Sequence, residues 1–383
     1  MDPVSGAEME VVAPRFRFGD GAVEALPATL DRLGMERPLV VTDEGVEAAG
    51  VLDAALAAYD GPRRTYRAAT EPSTDDFADV PPDVDGVVAV GGGSCLDTAK
   101  VIALLRACGG DPADYLGVGR VPRDLGPLVA VPTTSGTGSQ ATQTAVVAHE
   151  GVKRGISDER LRPDVALVDP ALTYGLPRPV TARSGFDAFV HSLESLTARD
   201  YRWVPERDIT YQGANPVSRS LSRRALDLVH GSLERATFDG DDREARRSMS
   251  LGSHLAGLAF SNAGLGAVHA LASAVGGMTD EPHGVCLAVS LEPGLAYNMP
   301  VRREAYADVA RHLGVGDDAA ALVAEATRLR DSLGLPSSFA DVGLDRSDTD
   351  AIVENTLVQE RRLGTNPRSV AGDLSTAVRS AFD

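Results

Sequence analysis

The stretch GVVAVGGGSCLDTAK, residues 86–100, decides the fold. Its apolar run predicts a buried strand, and residues 96–105 predict a helix that begins just after three glycines. In a strand, glycine turn and helix, free backbone N–H groups and the helix N-terminus can bind a pyrophosphate. The predicted phosphate-binding residues are Gly92, Gly93 and Ser94. Because Leu96 stands where the third glycine of G-x-G-x-x-G would be, an ordinary tight turn is the alternative.

Other apolar runs predict that this strand belongs to a parallel sheet. Strands are expected at residues 38–43, 86–90, 128–131 and 165–169. A helical run at about 47–59 follows the first of these strands, which gives a βα unit. Two shorter strands are expected at 142–148 and 154–157. We therefore predict an α/β domain over residues 1–180, with a parallel, Rossmann-like sheet that binds a dinucleotide.

The sequence changes character after about residue 180. Strand signals nearly vanish, and long helical periodicities replace them at 218–233, 243–259, 301–313 and 319–333. We predict an all-α domain over residues 181–383. This boundary places the glycine turn beside an interdomain cleft, which is a favoured position for a substrate.

Two further segments are candidates for binding the dinucleotide. Asp43 ends the predicted strand 38–43, where a carboxylate can accept from ribose hydroxyls and repel a 2′-phosphate, so NAD is preferred over NADP. The alternative is that Asp43 only caps the next helix. The loop PTTSGTGSQ, residues 132–140, offers hydroxyls and free backbone donors, although ordinary surface loops share this composition. Its candidate residues are Thr133, Thr134, Thr137 and Ser139.

The segment GFDAFVHSLE, residues 185–194, predicts a helix that carries a metal site. Asp187 and His191 are four residues apart and so share one helical face. With His269 and His283 they could supply four nitrogen and oxygen ligands, a set that suits Fe(II) or Zn(II). An isolated D-x-x-x-H is a short pattern, and the alternative is a capped helix start with a satisfied histidine.

The charge of the chain excludes one class of partner. The formal net charge is −18, whereas nucleic-acid binding needs clustered basic residues. Only two of the 37 basic residues are lysines, Lys100 and Lys153, and the acidic residues are spread along the chain. We interpret this pattern as adaptation to a salty cytoplasm. The alternative is a merely acidic protein from a genome that favours arginine.

Cysteine usage and the N-terminus indicate the compartment. Three scattered cysteines are too few for a disulfide framework or a structural zinc site, which favours a reducing cytoplasm. The first residues show no basic and apolar leader pattern, and no apolar run reaches membrane-spanning length. We therefore expect a cytoplasmic protein with no membrane partner.

With these stretches in order, the chain resembles the iron-containing (group III) alcohol dehydrogenase family over nearly its whole length. Residues 91–100 match the family's GGGSxxDxxK, and residues 132–139 match PTTxGTGSE up to its last letter. Asp169-Pro170 precedes the D-A-x-x-H element at residues 187–191. NAGLGAVHA at 262–270 and PHG at 282–284 match the two remaining ligand motifs.

The resemblance implies a fold and a set of site residues. The implied fold is that of the dehydroquinate synthase-like and iron-containing alcohol dehydrogenases, and the implied assembly is a homodimer or larger homo-oligomer. The implied activity is NAD-dependent oxidation of a primary or secondary alcohol or a hydroxy acid, with hydride passing to the nicotinamide. The implied metal ligands are Asp187, His191, His269 and His283. Further implied cofactor residues are Asp97 and Lys153.

Two positions depart from the family's pattern. Gln140 replaces the usual glutamate, and Ser273 stands where many members carry a second histidine four residues after His269. The usual proton-relay histidine is therefore missing, and no residue is assigned to catalysis. A water chain or a ribose hydroxyl would have to carry the substrate proton.

Three other activities were weighed. A lyase like dehydroquinate synthase would need clustered basic residues for a phosphorylated substrate, and the two lysines are sparse for that. A non-enzymatic NAD-binding protein would not need four candidate metal ligands. Closer likeness at residues 184–187, 211–216 and 356–361 points to the hydroxyacid-oxoacid transhydrogenase branch. That branch requires a carboxylate-binding arginine, for which the candidates are Arg361 and Arg362.

Overall fold

The computed structural model describes residues 8–77, 80–204, 211–279, 281–369 and 374–382. Its strands are β1 (Arg15–Phe18), β2 (Leu39–Thr42), β3 (Arg64–Arg67), β4 (Val87–Gly91), β5 (Gly117–Val118), β6 (Leu128–Pro132), β7 (Thr144–His149), β8 (Val152–Ser157) and β9 (Val165–Val168). Six of them form one parallel sheet in the order β1-β9-β6-β4-β2-β3. A second sheet has the order β5-β8-β7.

Helices surround this sheet and then continue alone to the C-terminus. The N-terminal helices are α1 (Leu26–Leu33), α2 (Glu44–Ala48), α3 (Val51–Leu56) and α4 (Gly93–Cys108). The later helices are α5 (Arg178–Thr197), α6 (Pro216–His230), α7 (Leu233–Phe238), α8 (Arg243–Ala263), α9 (Ala267–Met278), α10 (His283–Leu313), α11 (Ala319–Ser332), α12 (Thr349–Leu357), α13 (Glu360–Gly364) and α14 (Leu374–Ser380). The prediction of a parallel α/β region followed by a helical region is confirmed.

The central strand β4 explains why the sheet has helices on both faces. Every residue of β4 is buried, and successive side chains point to opposite faces of the sheet. Val87 and Ala89 join an apolar cluster with α4, whereas Val88 and Val90 join a cluster with α1. Burial on both faces is the reason that this strand is a continuous apolar run.

Three features of the N-terminal half differ from the sequence prediction. The strands β1 and β3 are mostly exposed, so neither forms the apolar run that predicts a strand. The helical run expected at 47–59 is two short helices, α2 and α3. They are separated at Gly50, whose φ of 69° an L-residue adopts only with strain.

The strands β7 and β8 form an antiparallel hairpin close to the sheet edge. Its two turn residues, Glu150 and Gly151, both have positive φ, 51° and 76°. That combination matches the twist of a two-residue hairpin. The hairpin confirms the two shorter predicted strands, and it places Lys153 within β8.

The helical region is organised around α5. This helix packs against α6, α8 and α10, and its residues from Gly185 to Thr197 are all buried. A Cβ at Gly185 would lie 2.3 Å from Leu233 Cδ1 and 2.8 Å from Met249 Cε, so a larger residue there would require these side chains to move. The predicted boundary at residue 180 falls in the first turn of α5 and stays a prediction.

No single helix in the described ranges is long and apolar enough to cross a membrane. The helices α8 and α9 meet the length and composition criterion only together, as a pair bent by 100°.

Candidate functional site

A cavity of about 330 Å³ lies between the carboxyl ends of the central strands and the helical region. The carboxyl edge of a parallel sheet is the usual place for a ligand in α/β folds. Among the predicted site residues, those that line this cavity are Gly93, Ser94, Asp97, Thr134, Thr137, Ser139, Lys153, Asp187, His191, His269 and His283. The predicted residues outside its lining are Asp43, Gly92 and Thr133.

Three side chains form a compact cluster at the helical end of the cavity. Asp187 and His191 come from α5, and His269 comes from the first turn of α9. One ligand atom from each of the three lies within 4.8 Å of the others. Asp187 Oδ1 is 3.1 Å from His191 Nδ1 and 3.5 Å from His269 Nε2.

The same three atoms fit a divalent metal ion. Asp187 Oδ1, His191 Nδ1 and His269 Nε2 are buried, and none has a hydrogen-bond partner among the residues that the structure describes. Buried polar atoms are nearly always hydrogen-bonded, so three such atoms without partners, all within 4.8 Å of one another, indicate a place for a ligand. One carboxylate oxygen and two imidazole nitrogens are a donor set that Fe(II) and Zn(II) accept.

Glu194 orients His269 toward that point. Its Oε2 accepts from His269 Nδ1 at 2.6 Å, which leaves Nε2 without a proton and free to ligate. The same carboxylate accepts backbone N–H bonds from Val268 at 2.8 Å and His269 at 3.3 Å. Sequence analysis gave Glu194 no role, although it lies three residues after His191 on the same face of α5.

His283 lies beside the cluster as the first residue of α10. Its ring centroid is 5.7 Å from that of His269, and it is not one of the three residues whose ligand atoms lie within 4.8 Å of one another. Burial lowers its pKa to about 3, even though the Asp187 charge favours protonation. His283 is therefore a neutral imidazole at the edge of the cluster, which is the form that binds metals.

The other two histidines have pKa values shifted in opposite directions. Burial, together with the charges of His269 and Arg362, holds the pKa of His191 well below its usual range. Burial also disfavours the protonated form of His269, but its interactions with the nearby carboxylates of Asp187 and Glu194 outweigh burial and raise the pKa. A divalent cation would supply the positive charge that this carboxylate pair attracts.

The glycine turn forms the opposite end of the cavity. Gly92 is the N-cap of α4, and Gly93 is its first residue. A side chain at Gly93 would lie 2.7 Å from Thr137, because the 132–140 loop packs directly over the turn. At Gly136 a side chain would lie 2.6 Å from the backbone oxygen of Ser184, so the same loop touches the helical region.

A buried lysine network holds these two loops together. Lys100 Nζ donates to Ser139 O at 2.9 Å, Ser139 Oγ at 2.7 Å, Thr142 Oγ1 at 3.1 Å and Thr144 O at 2.7 Å. Asp97 accepts from Ser139 Oγ at 2.6 Å and from the Val146 N–H at 3.0 Å. Burial lowers the pKa of Lys100 to about 8.

Asp43 lies in a second surface cavity that meets the first at Thr70. Its Oδ1 accepts from the Val46 N–H at 2.8 Å, so it caps α2. Its Oδ2 accepts from the Cys95 thiol at 3.1 Å. Asp43 therefore caps α2, as the alternative interpretation of the sequence expected. Each of its carboxylate oxygens can still accept a further hydrogen bond, for example from a ribose hydroxyl.

Lys153 and Ser273 lie near the metal cluster. Lys153 Nζ pairs with Glu71 at 2.7 Å, and a side chain at Gly276 on α9 would lie 3.7 Å from that nitrogen. Ser273 lines the cavity, and its hydroxyl donates to the His269 carbonyl at 2.9 Å. Ser273 therefore stands at the predicted relay position, and the route of the substrate proton stays a prediction.

Aromatic and basic side chains complete the lining. Phe260 stacks on His191 with ring centroids 4.1 Å apart, a contact that the sequence gave no reason to expect. Both Arg361 and Arg362 of α13 line the same cavity. Burial lowers the pKa of Arg362 to about 10, which still leaves it charged at neutral pH.

Comparison with known proteins identifies the family. Residues 13–170 match the iron-containing alcohol dehydrogenase family, and residues 181–378 match the C-terminal region of the Fe-containing alcohol dehydrogenase family. The chain belongs to the iron-containing alcohol dehydrogenase family. The predicted family is thereby confirmed, and with it the prediction of an oxidoreductase that acts on alcohols.

Individual members of the iron-containing alcohol dehydrogenase family match the chain from end to end. The NAD-dependent methanol dehydrogenase of Bacillus methanolicus is 31% identical, over 97% of this chain and 99% of that protein. The mitochondrial hydroxyacid-oxoacid transhydrogenase of Xenopus tropicalis is 32% identical, over 96% of this chain and 89% of that protein. The crystal structure of a 1,3-propanediol oxidoreductase superposes with a TM-score of 0.89 at 31% identity, over 98% of this chain and 100% of that chain.

Proposed function

We propose that the cavity oxidises an alcohol or hydroxy acid with NAD, at a metal ion held by Asp187, His191, His269 and His283. The observation that carries this proposal is the set of three orphaned ligand atoms in the cavity that also contains the glycine turn. When bound, Fe(II) or Zn(II) acts as a Lewis acid on the substrate oxygen, and the nicotinamide accepts a hydride.

The residues of the chain position and shield these groups. Glu194 fixes the His269 tautomer. The Lys100 network holds the 132–140 loop against the glycine turn, where the N-terminus of α4 favours a pyrophosphate. Phe260 covers His191 and excludes water from that side of the site. We assign no protein side chain as the acceptor of the substrate proton, which passes to solvent by water or a ribose hydroxyl.

The test is a substrate panel under anaerobic conditions. Metal-free protein is loaded with Fe(II) or Zn(II) in high KCl and offered NAD with methanol, 1-butanol, 1,3-propanediol or 4-hydroxybutyrate. We expect NADH absorbance to rise with metal and to stop when a chelator is added. If no alcohol yields NADH with either metal, the proposed function is wrong.

We also propose that NAD is preferred over NADP, because Asp43 directly follows β2 and lines the second cavity. The variant Asp43→Gly should narrow the difference between the two cofactors. Equal kcat/KM for NAD and NADP in the unchanged protein would contradict the assignment of Asp43.

A second candidate is the hydroxyacid-oxoacid transhydrogenase reaction, in which NAD is retained between two half-reactions. The arginines of α13 that line the cavity favour it, because both substrates of that reaction carry a carboxylate. Protein without added NAD is mixed with 4-hydroxybutyrate and 2-oxoglutarate. Formation of succinic semialdehyde and 2-hydroxyglutarate in equal amounts would support this candidate, and no exchange would reject it.

We further propose that the protein is a cytoplasmic, salt-adapted homodimer or larger homo-oligomer. The net charge of −18 supports salt adaptation, and a stability curve in increasing KCl tests it. The edge strand β1 exposes Phe16 and Phe18, and an exposed apolar edge strand favours association. Light scattering of the purified protein tests the dimer, and a monomeric mass would contradict it.

A further inference from the structure

Arg362 has unfilled hydrogen-bonding capacity at the metal end of the cavity. Its Nη1 donates to Gln359 Oε1 at 2.6 Å. Its Nε is buried and has no hydrogen-bond partner within the described residues. Within the same residues, no carboxylate lies at ion-pair distance from the guanidinium. Arg362 is half-buried, and a partly desolvated guanidinium without a counter-ion is costly, so this group is suited to receive an anion.

The rest of the cavity shows the same imbalance of charge. Among the described residues, three arginines line it, namely Arg183, Arg361 and Arg362. The three described carboxylates of the lining each lie beside a basic group or histidine: Glu71 pairs with Lys153, Asp97 lies in the Lys100 network, and Asp187 lies beside His191. The chain as a whole has a net charge of −18. The described lining of this cavity differs, because its arginines have no carboxylate at ion-pair distance and make the local charge positive.

The segment that carries Arg362 is fastened to the metal site. Thr365 Oγ1 donates to the Leu265 carbonyl at 2.8 Å, and Asn366 Oδ1 accepts from the Ala267 N–H at 2.9 Å. The Ala267 N–H lies two residues before His269. A side chain at Gly266 would meet both Asn366 and Glu194, at 2.7 and 3.0 Å. Arg362 is therefore held near the His269 side of the cavity.

Arg361 is held separately and fixes the adjacent backbone. Its Nη1 donates to Thr144 Oγ1 at 2.7 Å and also to Ser157 Oγ. Its guanidinium stacks on the Tyr211 ring, 4.4 Å from the centroid. All of these partners are uncharged, so Arg361 adds positive charge to the cavity while its position is set by the β7–β8 hairpin.

We propose that Arg362, supported by the charge of Arg361, binds the carboxylate of the substrate, so that the enzyme selects a hydroxy acid over a neutral alcohol. This inference rests on the proposed function and deepens it. The planar guanidinium can donate two parallel hydrogen bonds to a carboxylate, a contact that a neutral alcohol cannot make. Arg362 acts here on binding and selectivity, and the hydride transfer is the same for either substrate class.

The dinucleotide pyrophosphate is the other anion that the cavity could receive. The glycine turn and the N-terminus of α4 already form a phosphate site at the opposite end, beside Thr134 and Thr137. Arg362 belongs to the segment fastened beside His269 and not to that turn. A carboxylate next to the reacting alcohol is therefore the anion that Arg362 is placed to bind.

The experiment compares substrates that differ only in charge. The protein loaded with Fe(II) or Zn(II) is assayed with 4-hydroxybutyrate, its neutral amide 4-hydroxybutyramide, and 1-butanol. We expect 4-hydroxybutyrate to be preferred over the amide by at least about tenfold in kcat/KM. In Arg362→Gln the ratio of kcat/KM for 4-hydroxybutyrate to that for 1-butanol should fall by a similar factor. Arg362→Lys should recover only part of the ratio, because it keeps the charge without the fork.

Arg303→Gln, an exposed arginine on α10, is the matched control and should leave the ratio unchanged. A binding measurement independent of turnover uses butyrate and butyramide as ligands in isothermal titration. Butyrate should bind the unchanged protein more tightly than butyramide, and Arg362→Gln should abolish the difference. Circular dichroism confirms that each variant is folded.

Two outcomes would overturn the inference. Oxidation of 1-butanol with no preference for 4-hydroxybutyrate over its amide would reject the carboxylate and leave the proposed function standing. A raised KM for NAD in Arg362→Gln, with an unchanged substrate ratio, would assign the arginine to the dinucleotide instead. Failure of all alcohols and acids would reject the proposed function itself.

Discussion

The two ends of the cavity are both lined by buried polar groups, yet they differ in how those groups are satisfied. At the glycine-turn end, Lys100 Nζ has four oxygen acceptors between 2.7 and 3.1 Å, and Asp97 accepts two hydrogen bonds. At the metal end, Asp187 Oδ1, His191 Nδ1 and His269 Nε2 have none within the described ranges. A complete network stabilises the fold without any ligand, whereas an incomplete one marks a place that a ligand completes.

Replacing one histidine by leucine at the metal end should have the largest effect. We expect His191→Leu to lose bound metal and to reduce kcat/KM by more than about a hundredfold, because one of the ligand atoms is removed. The metal-free protein should unfold at only a slightly lower denaturant concentration than the unchanged protein, because His191 Nδ1 has no hydrogen-bond partner within the described residues and only the contact of the ring with the Gly136 backbone is lost. Elemental analysis, steady-state kinetics and urea unfolding measure these quantities. Full metal occupancy in the variant would contradict the ligand assignment.

An apolar replacement at the glycine-turn end should lower the stability of the fold, whereas the replacement at the metal end lowers metal binding and activity. Lys100→Met removes the cation from a closed network and leaves Asp97 and several oxygens buried without it. We expect the free energy of unfolding to fall by about 3–5 kcal/mol, whether or not metal is present. Urea unfolding of the metal-free protein measures the change. A variant as stable as the unchanged protein would show that the network is not structural.

A smaller effect should come from the residue that orients His269. In Glu194→Gln one of the two carboxylate oxygens becomes an amide that cannot accept from the N–H groups facing it. We expect metal affinity to weaken by about 10–100-fold while the folded structure persists. Competition with a coloured chelator measures the affinity. Unchanged affinity would mean that the tautomer of His269 is set by something other than Glu194.

The smallest predicted effect concerns His254, a buried histidine that lies outside the described lining of the cavity. Neither ring nitrogen has a partner in the described part of the chain, and the ring packs on Phe16 at 4.4 Å. Burial lowers its pKa to about 4, from an ordinary value of 6.5. Below pH 6.5 the imidazole is protonated in the unfolded state, whereas in the folded state it stays neutral down to about pH 4. The free energy of unfolding therefore decreases as the pH falls from 6.5 to 4.

The corresponding variant is His254→Phe. Lowering the pH from 7.5 to 5.5 should cost the unchanged protein about 1.4 kcal/mol more than it costs this variant. Urea unfolding at both pH values supplies the comparison, in which all other titrating groups cancel. If the free energy of unfolding decreased equally in the two proteins, groups other than His254 would be responsible for the acid sensitivity. An orphaned histidine without a neighbouring carboxylate would then behave like any other core residue.

The sequence was informative wherever one segment carried the whole signal. The run at 86–100 predicted β4, the glycine turn and α4. A strand buried on both faces consists of consecutive apolar residues, and a turn that approaches other groups closely consists of glycines, so both features are visible in this one segment. The spacing of Asp187 and His191 predicted two metal-cluster residues for the same reason. Glu194 shares their helical face and could have been found by extending that spacing by three residues.

Other features depend on contacts between segments that are far apart in the sequence, so no single stretch of residues predicted them. The edge strands β1 and β3 pair with the sheet through their backbones, and each is four residues long and mostly exposed, so neither forms the buried apolar run by which the other strands were predicted. Sequence analysis noted Lys100 as a rare lysine, but its acceptors lie 39 to 44 residues away. The isolation of His254 could not be predicted, because Phe16 reaches it from the other end of the chain.

The position of β1 has a consequence for the order in which the protein is made. Arg15–Phe18 pairs in parallel with Val165–Val168, and the Val12 N–H donates to Asn262 Oδ1 at 2.9 Å, a partner 250 residues away. On the ribosome, residues 12–18 must therefore wait for about 150 to 250 further residues to be synthesised before their contacts exist. Closing such long loops is slow, and it exposes an apolar strand meanwhile. The strand β1 is thus translated long before its partners and docks late, which leaves it exposed to chaperones and proteases during synthesis.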